Sequence, residues 1–239
     1  MNGTLKMLRF NLRTVVPVVW GKLLIAALII AALCMFFSPL LAIYMMFALP
    51  FLLLSPLNSM EKKGELGKLF GVLPVERSAV TRGRFLHLFL VNLVTELLTL
   101  VLILLSAQFR LQRFLPNQET EFVQMLVENV KEVPMIVTAT VVVFACMVIV
   151  TLFQTTVGQI FGYDKMNRAM IFSFGGFFIV LFIFLMLSMN DVIPMIKFPE
   201  GKMSESTKIL IYVILHFITI ILTIICCEIT TRIVTKREL

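Results

Sequence analysis

Six apolar segments alternate with shorter polar segments along the 239-residue chain. Each apolar segment has about the 20 residues that an α-helix needs to cross the hydrocarbon core of a bilayer. The predicted spans are residues 15–36, 39–57, 85–107, 134–159, 169–189 and 208–231. The pattern therefore predicts an all-α integral membrane protein, with one six-span membrane domain covering residues 1–239.

Two of the polar segments have helical periodicity of their own. Residues 1–14 place Leu5, Leu8 and Leu12 on one face and three basic side chains largely on another. This pattern is typical of an amphipathic helix that lies on the membrane surface. Residues 108–133 also have one apolar face, and they predict a second amphipathic helix, on the extracellular side.

The most highly charged segment, residues 59–84, lies between the second and third predicted spans. Apolar side chains spaced i, i+3, i+4 and i+7 from Leu66 predict a short amphipathic helix there. Pro74 ends this helix, because proline lacks an N–H and clashes with the preceding turn. Ser78 is the predicted N-cap of the next helix, which continues into the third span. A solvated loop explains the same charges equally well.

The composition excludes a soluble globular domain. Hydrophobic residues make up 59% of the chain and charged residues only 15%, with a mean hydropathy of +0.99, so the apolar side chains outnumber what a domain of this length could bury. The net charge is +7, but the basic residues do not form one patch with interleaved aromatics, and no nucleic-acid partner is expected. The four cysteines lie in or beside apolar segments, which favours buried thiols over disulfides or a zinc site.

The distribution of lysine and arginine predicts the orientation of the chain. Fifteen of these residues fall in the N-terminal segment, the 59–84 segment, the 160–168 loop and the C-terminal tail, and six fall in the segments of the opposite side. Because basic residues accumulate on the cytoplasmic side of a membrane, we expect both termini and the 59–84 segment to lie in the cytoplasm.

Polar side chains inside the predicted spans are candidates for function. Glu96 falls near the middle of the third span, where a carboxylate is costly and usually functional. Asn92, Thr95 and Thr99 share its helical face, and His216 of the sixth span is at a comparable depth, so a Glu96–His216 contact is geometrically possible. These five residues are predicted to line a translocation path or an interface between two copies. Helix packing is the alternative for the threonines.

The sequence EKKGELGKLFGVLPVERSAVTRGRF, residues 61–85, resembles the cytoplasmic segment between spans 2 and 3 of ABC-2-type ABC transporter permeases. The order of a basic N-terminal helix and six spans, without a soluble domain, is also similar. The resemblance implies a membrane subunit of an ATP-driven exporter of amphipathic or hydrophobic cargo, such as a peptide, toxin, drug or lipid. It also implies a location in the plasma membrane of a bacterium.

In the family that the chain resembles, two permeases pair with two separate ATPase subunits, and the segment between spans 2 and 3 supplies a coupling helix. The implied partners are thus two copies of an ABC ATPase, a second permease copy in a homodimer, and membrane lipid. Carried onto this chain, the resemblance implies that residues 59–84 contact the ATPase. The residues that would form or support the contact are Glu61, Glu65, Pro74, Glu76, Arg77 and Arg82.

The chain itself is predicted to be non-catalytic. Its GELGK sequence, residues 64–68, lacks the G-x-x-x-x-G-K-[ST] spacing of a phosphate-binding loop, so ATP and Mg²⁺ would be bound by the partner and no cofactor by this chain. An intramembrane enzyme is disfavoured, because neither of the two histidines stands in an H-E-x-x-H motif and no G-x-S-x-G motif occurs. The alternative function is an ion- or proton-coupled carrier or channel that uses Glu96, although the internal repeats common in such carriers are not evident.

Overall fold

The computed structural model describes residues 3–36, 42–62, 76–109, 133–162 and 205–236, with a few single positions between 165 and 176. Within these residues the regular structure is helical and no strand occurs, which agrees with the predicted all-α class. The long helices are α1 (Gly3–Phe36), α2 (Ile43–Lys62), α3 (Arg77–Phe109), α4 (Val133–Phe161) and α5 (Glu205–Lys236).

Among the described residues, three helices are long and apolar enough to cross a membrane. They are Arg77–Phe109, Ile136–Phe161 and Ile209–Lys236, and they contain most or all of the third, fourth and sixth predicted spans. The chain therefore has the character of a multi-pass helical membrane protein. The predicted extracellular helix and most of the predicted fifth span, 169–189, lie outside the described residues.

The first helix is sharply bent. Its two parts, Gly3–Val15 and Trp20–Cys34, meet at 76° and are a candidate for a fourth crossing if they count as one span. Pro17 lies between the two parts, and a proline inside a helix removes a backbone hydrogen bond and kinks the helix. The bend falls close to the predicted boundary between the surface helix, 1–14, and the first span.

The second helix begins later and ends later than the predicted span. It covers Ile43–Lys62 and contains Pro50 and Pro56, whereas the sequence predicted a span over residues 39–57. The short amphipathic helix predicted around Leu66, with Glu65 and Pro74, lies outside the described residues.

The start of α3 differs from the prediction that Ser78 is its N-cap. The backbone amides of Ala79 and Val80 donate to the carbonyl oxygen of Glu76, at 2.9 and 3.2 Å. Ser78 Oγ instead donates to Glu76 Oε2 at 3.2 Å. Glu76 therefore holds the N-cap position, and the helix begins at Arg77.

The third helix is the centre of the described bundle. It contacts each of α1, α2, α4 and α5, and its side chains form the middle of the main core cluster. The buried members of that cluster are Met46, Leu54, Phe85, Leu88, Phe144, Val148 and Leu152. By contrast, only 11% of the membrane-length apolar stretch of α5 is buried, and most of its isoleucines are exposed. Helix α5 therefore packs against the bundle through one narrow face.

Candidate functional site

The polar residues predicted on one face of α3 are all buried. Asn92, Thr95, Glu96 and Thr99 are each no more than 1% exposed. Their spacing of three and four residues places them one above another along the helix. This stripe therefore faces the inside of the described bundle and not its outer surface.

Glu96 is hydrogen-bonded to His216, as the comparable depths of the two residues suggested. Glu96 Oε2 lies 3.0 Å from His216 Nε2. The contact joins α3 to α5 through two residues that are 120 positions apart in the chain. A buried carboxyl group in a membrane protein thus has a polar partner within the same chain, which lowers the cost of its burial.

Two further contacts fix the orientation of the His216 ring. His216 Nδ1 lies 2.7 Å from the carbonyl oxygen of Tyr212, one turn earlier in α5. The ring also stacks on Phe144 of α4, with 5.0 Å between the ring centroids and 21° between the planes. Helices α3, α4 and α5 therefore all meet at this imidazole.

The geometry determines where the hydrogens of His216 must be. A carbonyl oxygen can only accept, so Nδ1 carries a hydrogen and donates it to Tyr212. One proton then lies between Nε2 and Glu96 Oε2, either as a carboxylic acid donating to neutral imidazole or as an imidazolium donating to a carboxylate. The pair has zero net charge in both forms, which suits a site of low dielectric.

A second polar contact joins α3 to α4. Asn92 Nδ2 donates to Thr151 Oγ1 at 3.1 Å and to the carbonyl oxygen of Leu88 at 3.0 Å. Thr151 Oγ1 in turn donates to the carbonyl of Met147 at 2.7 Å. Because the carbonyl oxygen of Leu88 can only accept, the amide nitrogen Nδ2 of Asn92 must face it. The same nitrogen therefore also donates the bond to Thr151 Oγ1.

The threonines of the stripe bond to their own helix. Thr95 Oγ1 donates to the carbonyl of Val91, and Thr99 Oγ1 donates to the carbonyl of Thr95, both at 2.8 Å. Thr223 of α5 does the same with Thr219 at 2.7 Å. Their hydroxyl hydrogens are therefore engaged locally, and the geometry favours helix packing as the role of these threonines.

Some hydrogen-bonding capacity remains on α3. Within the described ranges, Glu96 Oε1 and Asn92 Oδ1 are buried without a hydrogen-bond partner, and so are both ring nitrogens of His87. The His87 side chain is completely buried at the predicted cytoplasmic start of the third span. The two acceptors lie one turn apart on the same face as the contact with His216.

The predicted ATPase-contact residues are placed only in part. Glu76 and Arg77 are exposed at the start of α3, while the side chain of Glu61 lies outside the described residues, as do Glu65 and Pro74. Arg82 forms an ion pair with Glu228 of α5, with Nη2 3.0 Å from Oε1 and both side chains nearly half exposed.

The partner of Glu228 differs from what its own helix would indicate. Arg232 stands four residues after Glu228, a spacing that favours an ion pair within a helix, but the structure pairs Glu228 with Arg82. A local pattern could not reveal this, because the two residues are 146 positions apart and meet only when α3 and α5 pack together.

The chain matches no protein-family model, no curated protein and no solved structure. The interpretation of its function therefore rests on the sequence pattern and on the contacts among α3, α4 and α5.

Proposed function

We propose that this chain is the six-span permease subunit of an ATP-driven ABC exporter. It would act in the plasma membrane, with both termini in the cytoplasm, as a homodimer paired with two copies of a separate ATPase. Its cargo would be amphipathic or hydrophobic. The observation that carries the proposal is the continuity of α3, which runs without a break from Arg77, within the charged segment, to Glu96 and beyond.

A continuous helix can transmit a displacement over a long distance. Glu96 lies 19 residues after Arg77 in α3, which corresponds to about 28 Å along the axis. Helix α3 also contacts α5 at both levels, through Arg82–Glu228 and Glu96–His216. A force applied to the 59–84 segment would therefore reach the polar contact inside the bundle.

The ATPase contact would use the side chains at the base of α3. Glu76 and Arg77 are exposed there, which suits a docking role together with Glu61, Glu65 and Pro74. Arg82 already binds Glu228, so its proposed role is to support the contact by holding α5 against the base of α3.

The proposed translocation path passes the polar stripe. Because Glu96 is buried between helices of one chain and not on an outward face, the path would open where α3 and α5 separate. Asn92, Glu96 and His216 would then present polar groups to the cargo. Thr95 and Thr99 would border the path while keeping their bonds to the backbone.

Co-purification with an ATPase subunit tests the proposal. Arg77→Glu combined with Glu76→Lys is expected to abolish co-purification and leave membrane insertion intact. Arg77→Glu alone is a second variant that should not destabilise α3, because an acidic residue is favourable in the first turn of a helix. Loss of the ATPase in this variant would therefore report on the contact and not on the helix. Arg232→Glu, an exposed change near the end of α5, is the matched control and should retain the ATPase. Retention of the ATPase by the Arg77 variants would contradict the proposed contact.

A proton- or ion-coupled carrier is the second candidate, and a specific observation favours it. The Glu96–His216 contact holds one proton between two titratable groups inside a bundle of candidate spans. A carrier would transport cargo in proteoliposomes under a pH gradient, without any ATPase, and Glu96→Gln would abolish this transport. The permease proposal predicts no transport until the ATPase and ATP are added.

A further inference from the structure

The first part of α1, Gly3–Val15, has two faces that contact different surroundings. We propose that its outward face is a binding surface for the anionic headgroups of phospholipids, and that the close crossing of α1 with α3 at Gly83 ties this attachment to the base of α3. The surface, which we name the cationic face, consists of Leu5, Lys6, Arg9, Leu12 and Arg13.

The cationic face combines apolar and basic side chains in adjacent strips. Leu5 is 47% and Leu12 40% exposed, and the three basic residues between and beside them are exposed as well. At about 100° per residue, the two leucines lie next to the three cations around the helix. Such a helix places its leucines at the acyl boundary of a leaflet and its cations at the level of the phosphates.

The opposite face of the same helix is held by protein. Met7, Asn11 and Val15, spaced four residues apart, are all buried. The sequence alone indicated only the leucine face and did not reveal this second one. Because one face is fixed in the bundle, the helix cannot rotate about its axis, and the cationic face keeps one direction relative to α3.

The crossing with α3 is close enough to require small residues. A Cβ atom on Gly83 would lie 2.6 Å from the Cβ of Met7 and 3.2 Å from the carbonyl oxygen of Thr4, and one on Gly3 would lie 3.1 Å from the Cβ of Ala79. Ala79 and Gly83 thus form a small-xxx-small pair, which lets two helix backbones approach each other closely. They lie in the first turns of α3, within the C-terminal part of the 59–84 segment.

Charge and shape select an anionic lipid as the occupant. No acidic residue occurs between Gly3 and Val15, and none of the three cations forms an ion pair with an acidic side chain of the described ranges. An occupant must offer phosphate or carboxylate groups above an apolar layer, and an anionic leaflet offers both. Each cation near such a surface strengthens binding by about fivefold.

Trp20 gives a direct measurement of lipid near this face. It is the only tryptophan in the chain, it is 61% exposed, and it begins the second part of α1, directly after the bend that follows the cationic face. Brominated lipids quench tryptophan fluorescence on contact. The protein would be reconstituted twice in the same mixture of phosphatidylcholine and phosphatidylglycerol, with the bromine on either lipid.

For the natural chain, quenching by brominated phosphatidylglycerol should exceed the value given by its mole fraction. Lys6→Gln/Arg9→Gln/Arg13→Gln should reduce quenching to the mole-fraction value. The charge-conserving variant Arg9→Lys/Arg13→Lys should keep this enrichment of phosphatidylglycerol near Trp20. The control Lys165→Gln/Arg168→Gln/Arg232→Gln removes three exposed cations elsewhere, and it should keep the enrichment as well. Absence of enrichment in the natural chain, or equal loss in the control, would overturn the lipid site and would leave the proposed transport function untouched.

Amide hydrogen exchange tests the second half of the proposal. In nanodiscs that contain phosphatidylglycerol, amides of residues 77–84 should exchange more slowly than in phosphatidylcholine alone. The triple glutamine variant should remove this difference. If quenching shows enrichment but exchange at 77–84 does not respond to the lipid, the attachment stops at α1, and the link to α3 is wrong.

Discussion

Two polar contacts between described residues of α3 and α5, Glu96–His216 and Arg82–Glu228, lie at different depths and differ in almost every physical property. Glu96–His216 lies where α3, α4 and α5 meet, with the carboxyl side chain 2% and the imidazole side chain 30% exposed. Arg82–Glu228 lies at the end of the bundle, with both side chains 43–46% exposed. Both have a shortest N···O distance of 3.0 Å, so distance alone does not distinguish them.

The surroundings of the two contacts determine what each contributes. An exposed ion pair is screened by water and salt and contributes about 0–1 kcal/mol. Removal of one partner from a buried pair leaves the other without a hydrogen bond in a medium that does not solvate it, at a cost of about 3–5 kcal/mol if a charge remains. We therefore expect α3 and α5 to be held together at mid-depth by polar contact, and at their predicted cytoplasmic ends mainly by packing.

The largest expected effect comes from removing His216. His216→Phe keeps an aromatic ring against Phe144 but leaves Glu96 without its partner, and should lower the free energy of unfolding in detergent by at least about 2 kcal/mol. Glu96→Leu/His216→Phe removes both polar groups and should recover most of the loss. A double variant that is less stable than His216→Phe would contradict the assigned hydrogen bond.

A smaller loss is expected where packing holds the base of α3. Gly83→Ala forces a Cβ against Met7 and should cost about 2 kcal/mol, in the range measured for overpacked cores. Gly21→Ala is the matched control, because nothing lies within 4 Å of the added Cβ. The control should leave stability unchanged or raise it by up to about 1 kcal/mol. Equal effects at the two glycines would contradict the close crossing.

The Asn92–Thr151 contact should have an intermediate effect, because both groups are neutral and Thr151 also bonds to its own helix. Asn92→Leu and Thr151→Val, alone and together, measure the coupling between the two side chains. We expect a coupling free energy of about 0.6 kcal/mol, the average for such bonds in a membrane. A coupling of zero would indicate that the two side chains do not meet.

The exposed pair should matter least. Arg82→Gln should lower stability by no more than about 0.5 kcal/mol at low salt, and the effect should vanish at about 1 M salt. Arg82→Glu/Glu228→Arg, which exchanges the charges, should restore the natural stability. Arg232→Gln is the control at the same end of α5, and it should change nothing. A loss of several kcal/mol from Arg82→Gln would show that this contact, and not the buried one, holds the helices.

The difference between the two contacts also explains which of them the sequence predicts. Glu96 and His216 stand out because polar residues are rare inside apolar segments, and because counting along two antiparallel helices gives their depth. Arg82 and Glu228 lie among many charged residues at a helix end, where a neighbour four positions away competes for the same carboxylate. Only the tertiary packing of α3 on α5 decides the partner.

One local prediction fails, and another is incomplete. Ser78 has the side chain of a good N-cap, but the helix begins beside it, at Arg77, and Glu76 takes that place. The leucines of residues 1–14 suggest one apolar face, but Met7 and Asn11 form a second, buried face, because Gly83 lets α1 approach α3. The buried face of α1 depends on its contact with Gly83 of α3, and only the tertiary structure brings the two helices together.

The two ring nitrogens of His216 test the buried contact and its geometry most directly. Nitrogen NMR of protein labelled with ¹⁵N-histidine, in lipid bilayers, has signals from only two histidines, and the His216 signals can be assigned by their loss in His216→Phe. We predict that Nδ1 is protonated and that the Nε2 signal shifts in Glu96→Gln, while the signals of His87 stay in place. An unprotonated Nδ1 would contradict the bond to Tyr212, and an Nε2 signal that does not respond to Glu96→Gln would contradict the contact that joins α3 to α5.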